Sequence, residues 1–553
     1  MKRVKTEFLL LMILLLGFVL RFYQLGKIPV GFHKDEAYLG YNAYSILKTG
    51  RDINGNFLPL HLQSFLYCPA GYSYLSILPI ALFGLSPFAV RLPSALFGSL
   101  TVLLVYFLVK KLFKSSYLAS RLSIISSLLL AISPWHINLS RTATENIPVV
   151  FLIVLGLIFW ISWQEKKKYI FLILTFLAFG LSFNLYQAPR AFLPIFLPIL
   201  LLIYFRKSKF AWGLYLLTII LPLLLVLKSN NLSLRLKTVS FFSSPQTKLI
   251  VEEQIREDGM RQTPVLLTRF FHNRIQGYLI YFTKNYFSHL NYDFLFTDAG
   301  FPDRYRVPLV GLLYLFELPL LLVGLVALVK KEKTSWLIFT WIGLGIVGSA
   351  LAFDDVPNLQ RTLLITPALS IINAYGLLIS LNLLKKIKFK EIIFLIYFLF
   401  SAYNFLFYLH QYYIHGPQYR AWYRNDGYRD LVAKVNQLLP NYRKAIITNY
   451  ESAPTIFFLF FSRYDPAVFQ KETKGTTFKD FDRINFYKYE FSTEQCPLRL
   501  ERDKNGGIVS TGEAGILYID SGQCDKLPEG AKELARIMRG DDSLVFKILK
   551  YQK

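Results

Sequence analysis

Long apolar runs alternate with short basic breaks along this chain. The runs lie near residues 7–25, 91–109, 119–137, 147–164, 169–186, 191–205, 210–228, 307–329, 335–352, 362–384 and 391–409. Each approaches or reaches the ~20 residues that carry a helix across a hydrocarbon core. The breaks hold Lys2 to Lys5, then Lys110, Lys111 and Lys114, then clusters at 166–168, 206–209, 330–333 and 385–390. Lys and Arg concentrate at cytoplasmic span ends, so this phase predicts an N-terminus inside, about eleven crossings and a C-terminal stretch outside. One apolar run, residues 69–86, breaks the phase. If it crossed, the cluster at 110–114 and every later one would lie outside, so it is predicted as an interfacial or re-entrant helix within an outer loop at 26–90.

Under this map the outer side carries the loop at 26–90, small loops at 138–146 and 353–361, a long segment at 229–306, and the tail. The tail reads as a small α/β domain. Tyr428 to Leu439 has helical periodicity, Lys444 to Asn449 and Gly515 to Asp520 look like buried strands, and Ala453 to Ser462 is apolar. The predicted fold is therefore a polytopic α-helical membrane domain over 1–409, followed by an extracytoplasmic soluble α/β domain over 410–553.

Composition agrees with a multi-pass membrane protein: 54% of the 553 residues are hydrophobic and 16% are aromatic. A net charge of +26 would suggest nucleic acid in a soluble protein. Here Lys and Arg sit mainly between apolar runs, where they set orientation, so the expected partner is a lipid bilayer and not nucleic acid. The N-terminus resembles a signal-peptide n-region, but the run ending at Arg21 has no clear small-residue cleavage site and reads as a retained first span. Of three cysteines, Cys496 and Cys524 share the tail and could pair in an oxidising compartment. No zinc spacing, nucleotide-binding glycine pattern or internal repeat is visible.

The candidate chemistry begins at Gly31-Phe32-His33-Lys34-Asp35-Glu36, shortly after the first span. A short amphipathic helix is predicted from Asp35 to Leu47, with Asp35 at its N-terminal edge. There it could cap the helix or serve as a functional carboxylate beside the membrane. Arg141 and Glu145 stand four apart, which fits either a helix-surface ion pair or a site shared with the Asp35 loop. Arg91, Arg190 and Arg361 recur at outer span ends against the positive-inside trend. A guanidinium grips phosphate oxygens through two parallel hydrogen bonds, so these suit a lipid phosphate as well as an interfacial anchor.

These pieces, taken in order, resemble the GT-C glycosyltransferases, and among them the bacterial branch related to protein O-mannosyltransferases and to the aminoarabinose transferases of lipid A. The matching residues are Arg21 to Leu25, Asp35-Glu36, Thr49-Gly50-Arg51-Asp52 with Gly55 and Pro59, Arg91-Leu92-Pro93-Ser94, Ser133-Pro134-Trp135-His136 through Arg141 to Glu145, Tyr186 to Arg190, and Arg361 before Pro367. The resemblance covers about residues 10–410. It implies inverting transfer of a sugar from a polyprenyl-phosphate donor to a lipid, glycan or protein acceptor at the outer face of the cytoplasmic membrane. Asp35 would be the general base, with Glu36 and Glu145 as further catalytic carboxylates. Arg141, Tyr186, Arg190, Arg361 and Arg91 would contact the donor phosphate or substrate. A divalent metal ion would draw on Asp35, Glu145 and His33. The chain lacks the inserted lumenal domain of the protein O-mannosyltransferases, and no aminoarabinose-specific signature is present, so the sugar and acceptor stay open. The competing function is a transporter or lipid flippase using Asp35 and Glu145 as cation or proton sites.

Overall fold

Where the sequence alternates apolar runs with basic breaks, the computed structural model places helices separated by short turns. It describes residues 2–63, 68–114, 116–205, 208–228, 240–243, 245–330, 332–385, 387–474, 483–502 and 508–552. Parts of the predicted loop at 229–306, and of the basic clusters at 206–209, 330–333 and 385–390, lie outside the described residues. The chain forms two compact units: Met1–Phe22, Ser94–Ser140 and Glu145–Leu409 make one, and Tyr23–Pro93, Arg141–Thr144 and His410–Lys553 make the other.

Among the described residues five helices are long and apolar enough to cross a membrane: Pro87–Leu112, Asn146–Lys166, Lys209–Leu227, Leu363–Leu384 and Lys390–His415. A sixth appears if Leu118–Ile132 and Pro134–Ser140, bent by 57°, form one broken span. Pro134 has no N–H to continue the ladder, which accounts for the break. Shorter apolar helices are Gly71–Phe83, Tyr169–Ser182, Ala188–Ile203, Glu317–Val329 and Thr334–Ala350. This helix set gives the protein a membrane location.

One predicted span is shorter than its apolar run. Residues 307–316 are irregular, and the helix begins at Glu317. Gly311 lies against the backbone of Phe296, where a Cβ would come within 2.2 Å of the Phe296 carbonyl carbon. Leu313 N–H bonds to Leu295 O at 2.7 Å, so this apolar stretch pairs with a neighbouring segment instead of coiling. The Glu317 carboxylate then accepts from Tyr314 N–H at 2.9 Å and from Asn373 Nδ2 at 2.8 Å. Glycines set the crossing of Glu317–Val329 with Thr366–Leu384. A Cβ on Gly376 would meet Leu320 O at 2.0 Å, and one on Gly324 would meet Ile372 O at 2.2 Å. Small residues let helix backbones approach closely in this way.

The other unit is built on a five-stranded sheet in the order Tyr489–Ser492, Lys444–Thr448, Ile516–Ser521, Leu544–Tyr551, Ala531–Met538. The first three strands run parallel, and the last two add antiparallel. The predicted strands are found as Lys444–Thr448 and Ile516–Ser521 and the predicted helix as Tyr428–Leu438, while the apolar stretch at 453–462 forms the helix Pro454–Phe461. Cys496 and Cys524 are joined by a disulfide. Helices Lys34–Thr49 and Gly71–Phe83 share this unit's hydrophobic core through Tyr41, Tyr72, Phe458 and Phe460. Gly40 allows that packing, because a Cβ there would lie 2.5 Å from Val90 and 2.8 Å from the Phe460 ring.

Candidate functional site

The Lys34–Thr49 helix is started by its neighbours' side chains, and Asp35 is not its cap. His33 is the N-cap, with Nδ1 accepting from Asp35 N–H at 3.2 Å. Glu36, at the third helical position, accepts from His33 N–H at 3.3 Å and closes a capping box. Gly50 ends the helix in the left-handed region at φ 68°.

Adjacent positions on a helix point about 100° apart, and here the two carboxylates separate accordingly. Glu36 is buried at 4% exposure, while the Asp35 side chain keeps 33%. Each oxygen of Glu36 accepts twice: Oε1 from Arg91 Nε and Ala143 N–H, both at 2.9 Å, and Oε2 from Arg91 Nη2 at 3.0 Å and His33 N–H. Burial alone would push its pKa up. The Arg91 charge and these hydrogen bonds outweigh burial and hold it below the ordinary value.

Arg91 is consumed in the same network. Besides Glu36, Nη1 donates to Leu25 O at 3.3 Å and Pro29 O at 3.0 Å, and Nη2 donates to Gly31 O at 2.8 Å. All five guanidinium N–H groups are thereby placed inside the fold. Arg141, also buried, donates to Ile28 O at 3.1 Å, Tyr23 O at 2.5 Å and Tyr412 Oη at 3.2 Å. It also lies 5.4 Å from the ring centroids of Tyr412 and Tyr413. These contacts give Glu36, Arg91 and Arg141 structural work in their unit. Residues 141–145 are not helical, so the predicted i,i+4 geometry of Arg141 and Glu145 is absent; Glu145 stands at the N-cap of Asn146–Lys166 without a side-chain cap bond.

The apolar-helix unit treats its cations differently. Tyr186, Arg190 and Arg361 line one cavity of about 290 Å3 together with Gln187, Ser240, Leu223, Leu227, Phe242 and Leu351. Arg190, in the first turn of Ala188–Phe205, is held by Phe183 O through Nε at 3.2 Å and Nη2 at 2.9 Å. Arg361 donates to Asp354 O at 2.8 Å and to Asp354 Oδ1 at 3.0 Å.

The turn carrying Arg361 is fixed by side chains the sequence reading did not select. Asn358 Oδ1 accepts from Gln360 N–H at 3.0 Å and Arg361 N–H at 2.8 Å, an Asx-type turn. Trp135 Nε1 donates to Leu359 O at 2.7 Å. His289 Nδ1 faces Asn285 O at 2.7 Å, and Nε2 lies 3.0 Å from Asn358 N–H and 2.7 Å from Ser349 Oγ. That pattern requires a neutral ring protonated on Nδ1, and burial, with the Arg361 charge adding to it, lowers the His289 pKa to about 4. The Asn-Leu-Gln-Arg stretch held a turn signal in Asn358, whereas His289 and Trp135 arrive from distant sequence.

His33 Nδ1 lies 3.3 Å from Asp35 Oδ2, but no group of three or more His, Cys, Asp and Glu converges among the described residues.

Residues 68–228 match the family model described as dolichyl-phosphate-mannose-protein mannosyltransferase. No curated protein sequence matches the chain. Among solved structures, ArnT from Cupriavidus metallidurans in the apo state aligns with a TM-score of 0.52 at 11% identity, covering 99% of this chain and 98% of that one. ArnT bound to undecaprenyl phosphate aligns with 0.51 at 11% identity, covering 99% and 97%. The archaeal oligosaccharyltransferase AglB from Archaeoglobus fulgidus, in complex with an inhibitory peptide and a dolichol-phosphate, gives 0.48 at 14% identity; the alignment covers 83% of this chain and 64% of AglB's length. The chain thus has the GT-C glycosyltransferase fold, shared with ArnT over nearly its whole length and carrying the mannosyltransferase family's sequence pattern over residues 68–228.

Proposed function

We propose that the protein is a membrane glycosyltransferase that moves a sugar from a polyprenyl-phosphate donor to a lipid, glycan or protein acceptor, with inversion, at the outer face of the cytoplasmic membrane. The observation that carries this reading is the cavity in which Arg190 and Arg361 stand together with Leu223, Leu227 and Leu351. A polyprenyl phosphate has the same two halves: an anionic head that paired guanidiniums grip and an apolar chain that leucines accept. One relative in fold, ArnT, has a structure with such a lipid, undecaprenyl phosphate.

In the proposed step the acceptor hydroxyl oxygen attacks the anomeric carbon while the bond from that carbon to the donor phosphate oxygen breaks. The leaving polyprenyl phosphate carries the negative charge that Arg190 and Arg361 stabilise, and Asp35 is assigned separately, by residue type, as the base that takes the hydroxyl proton. Glu36 supports Asp35 through the capping box and does not meet substrate. The described residues assemble no metal ligand set, so no step is routed through an ion. The disulfide Cys496–Cys524 supports an oxidising, extracytoplasmic location for its unit.

Purified protein supplied with a panel of polyprenyl-phosphate sugars tests the reading. Asp35→Asn should lower turnover by a factor of about a hundred to ten thousand while donor binding persists. Wild-type turnover in that variant would remove Asp35 from the chemistry. A panel with no sugar consumed, alongside proton- or cation-coupled lipid movement, would favour the flippase instead. A tag on the C-terminus should be reached from outside intact cells.

A further inference from the structure

The segment at 229–306, predicted as an outer loop, presents an apolar surface where a loop in water would present a polar one. Helices Val265–Phe271 and Arg274–Ser288 leave Leu266 83%, Phe270 72%, Ile275 80% and Leu279 63% exposed. Internal bonds fix the rotation of the second helix. Asn285 donates to Ala350 O and Ala352 O, Tyr286 Oη to Gly343 O, and Tyr278 Oη to Phe242 O. Opposite Asn285 and Tyr278, the exposed Ile275, Leu279, Phe287 and Ile280 fall within an arc of about 140° at 100° per residue.

Charge along the segment is sorted as well. From Arg261 to Leu290 the charged residues are Arg261, Arg269, Arg274 and Lys284, with no Asp or Glu. The carboxylates Glu252, Glu253, Glu257 and Asp258 all lie in the preceding helix, Pro245–Met260. An apolar stripe bordered by cations alone has the composition of a helix that lies in a membrane interface. The same unit also exposes the apolar surface of Lys209–Leu227 and of residues 390–409, so a lipid-facing surface is already part of it.

We propose that Val265–Ser288 lies flat in the membrane interface, with Leu266, Phe270, Ile275 and Leu279 among acyl chains and Arg269, Arg274 and Lys284 among anionic phospholipid headgroups. This surface does not depend on the transfer reaction and would stand if that reading failed.

The test uses the full chain in nanodiscs, with Cys68→Ser removing the free thiol. Single cysteines at Leu266, Phe270, Ile275 and Leu279 carry a nitroxide. Oxygen should broaden their spectra more than a water-soluble nickel chelate does, whereas a label at Glu253 should show the reverse. Chelate access equal to that at Glu253 would overturn the proposal, as would spin–spin broadening between copies, which would assign the surface to a second chain. In a second arm, Arg269→Glu, Arg274→Glu and Lys284→Glu together should reduce co-purified anionic over zwitterionic lipid, on the order of fivefold per cation. An unchanged lipid ratio would overturn the headgroup assignment.

Discussion

Arg91 in the sheet-bearing unit and Arg361 in the apolar-helix unit look alike in sequence: each is a lone arginine at an outer span end. In the fold they differ in what their donors reach. Arg91 is 1% exposed and gives every N–H to Glu36, Leu25, Pro29 or Gly31. Arg361 is anchored through Asp354 alone among the described residues and lines a cavity. The first arrangement holds three segments of chain together, and the second leaves a guanidinium lining a cavity. An arginine's neighbours therefore decide between structure and binding, and each can be removed separately.

The largest expected effect is at the consumed site. Glu36→Ala would leave a buried guanidinium without its counter-charge, which costs about 3–5 kcal/mol when one partner of a buried pair is removed. Unfolding of the purified variant should shift by that amount, while donor affinity of the folded fraction holds. Replacing both partners with apolar residues should not restore full stability, because Leu25, Pro29 and Gly31 carbonyls would lose their donor. A fully stable double variant would mean that those bonds contribute little.

Acid titration separates the paired carboxylate from an unpaired one in the same unit. Asp520 lies in strand Ile516–Ser521 with Oδ1 accepting from Leu498 N–H and Oδ2 buried without a partner. Burial pushes its pKa up to about 7, against the Leu498 bond and the charges of Lys547 and Arg499. The native state then holds a proton that the unfolded state has lost, so the Asp520 contribution is full below the ordinary aspartate value of 3.8 and disappears as pH rises to about 7. The slope would be at most about 1.4 kcal/mol per pH unit, and Asp520→Asn should flatten it. Glu36 has the opposite sign: its contribution is present above 4.5 and is lost as pH falls through its depressed native value. Denaturant titrations from pH 4 to 8 that show no difference between wild type and Asp520→Asn would refute the raised value.

At the cavity, Arg361→Ala should weaken polyprenyl-phosphate binding roughly ten- to a hundredfold, the equivalent of charged hydrogen bonds worth about 1.5–3 kcal/mol. Thermal stability should change little. Arg361→Lys should recover part of the affinity, since it restores the charge without the fork. A stability loss as large as that of Glu36→Ala, with donor affinity intact, would erase the distinction between the two arginines.

Much of the fold was legible because its signals are local. Apolar runs located the helices, and short apolar runs located the buried strands Lys444–Thr448 and Ile516–Ser521. Residues 307–316 misled because hydropathy reports burial, while the Gly311 contact with Phe296 that prevents coiling comes from a separate segment. The sites were legible by residue type and not by role. Asp35-Glu36 stood out, yet the role of Glu36 depended on Arg91 and Ala143, 55 and 107 residues away. Arg91 and Arg361 could not be told apart for the same reason: the carbonyls that occupy the first and the cavity that opens beside the second are products of tertiary packing.

The smallest expected effect lies between the two kinds of site, at His33. Its Nδ1 caps the helix by accepting from Asp35 N–H, and the same nitrogen is 3.3 Å from Asp35 Oδ2. These uses exclude each other: a neutral Nδ1 accepts from the amide, whereas a protonated one could donate only to the carboxylate. His33→Ala should cost about 1 kcal/mol through the lost cap. His33→Asn supplies another capping oxygen and should recover most of that stability, but its side chain does not become a cation on acidification. If Asp35 is the base and the cap orients it, His33→Ala should also lower turnover, and His33→Asn should recover it with donor affinity unchanged. Unchanged turnover in His33→Ala would confine His33 to capping and leave Asp35 to act without its neighbour.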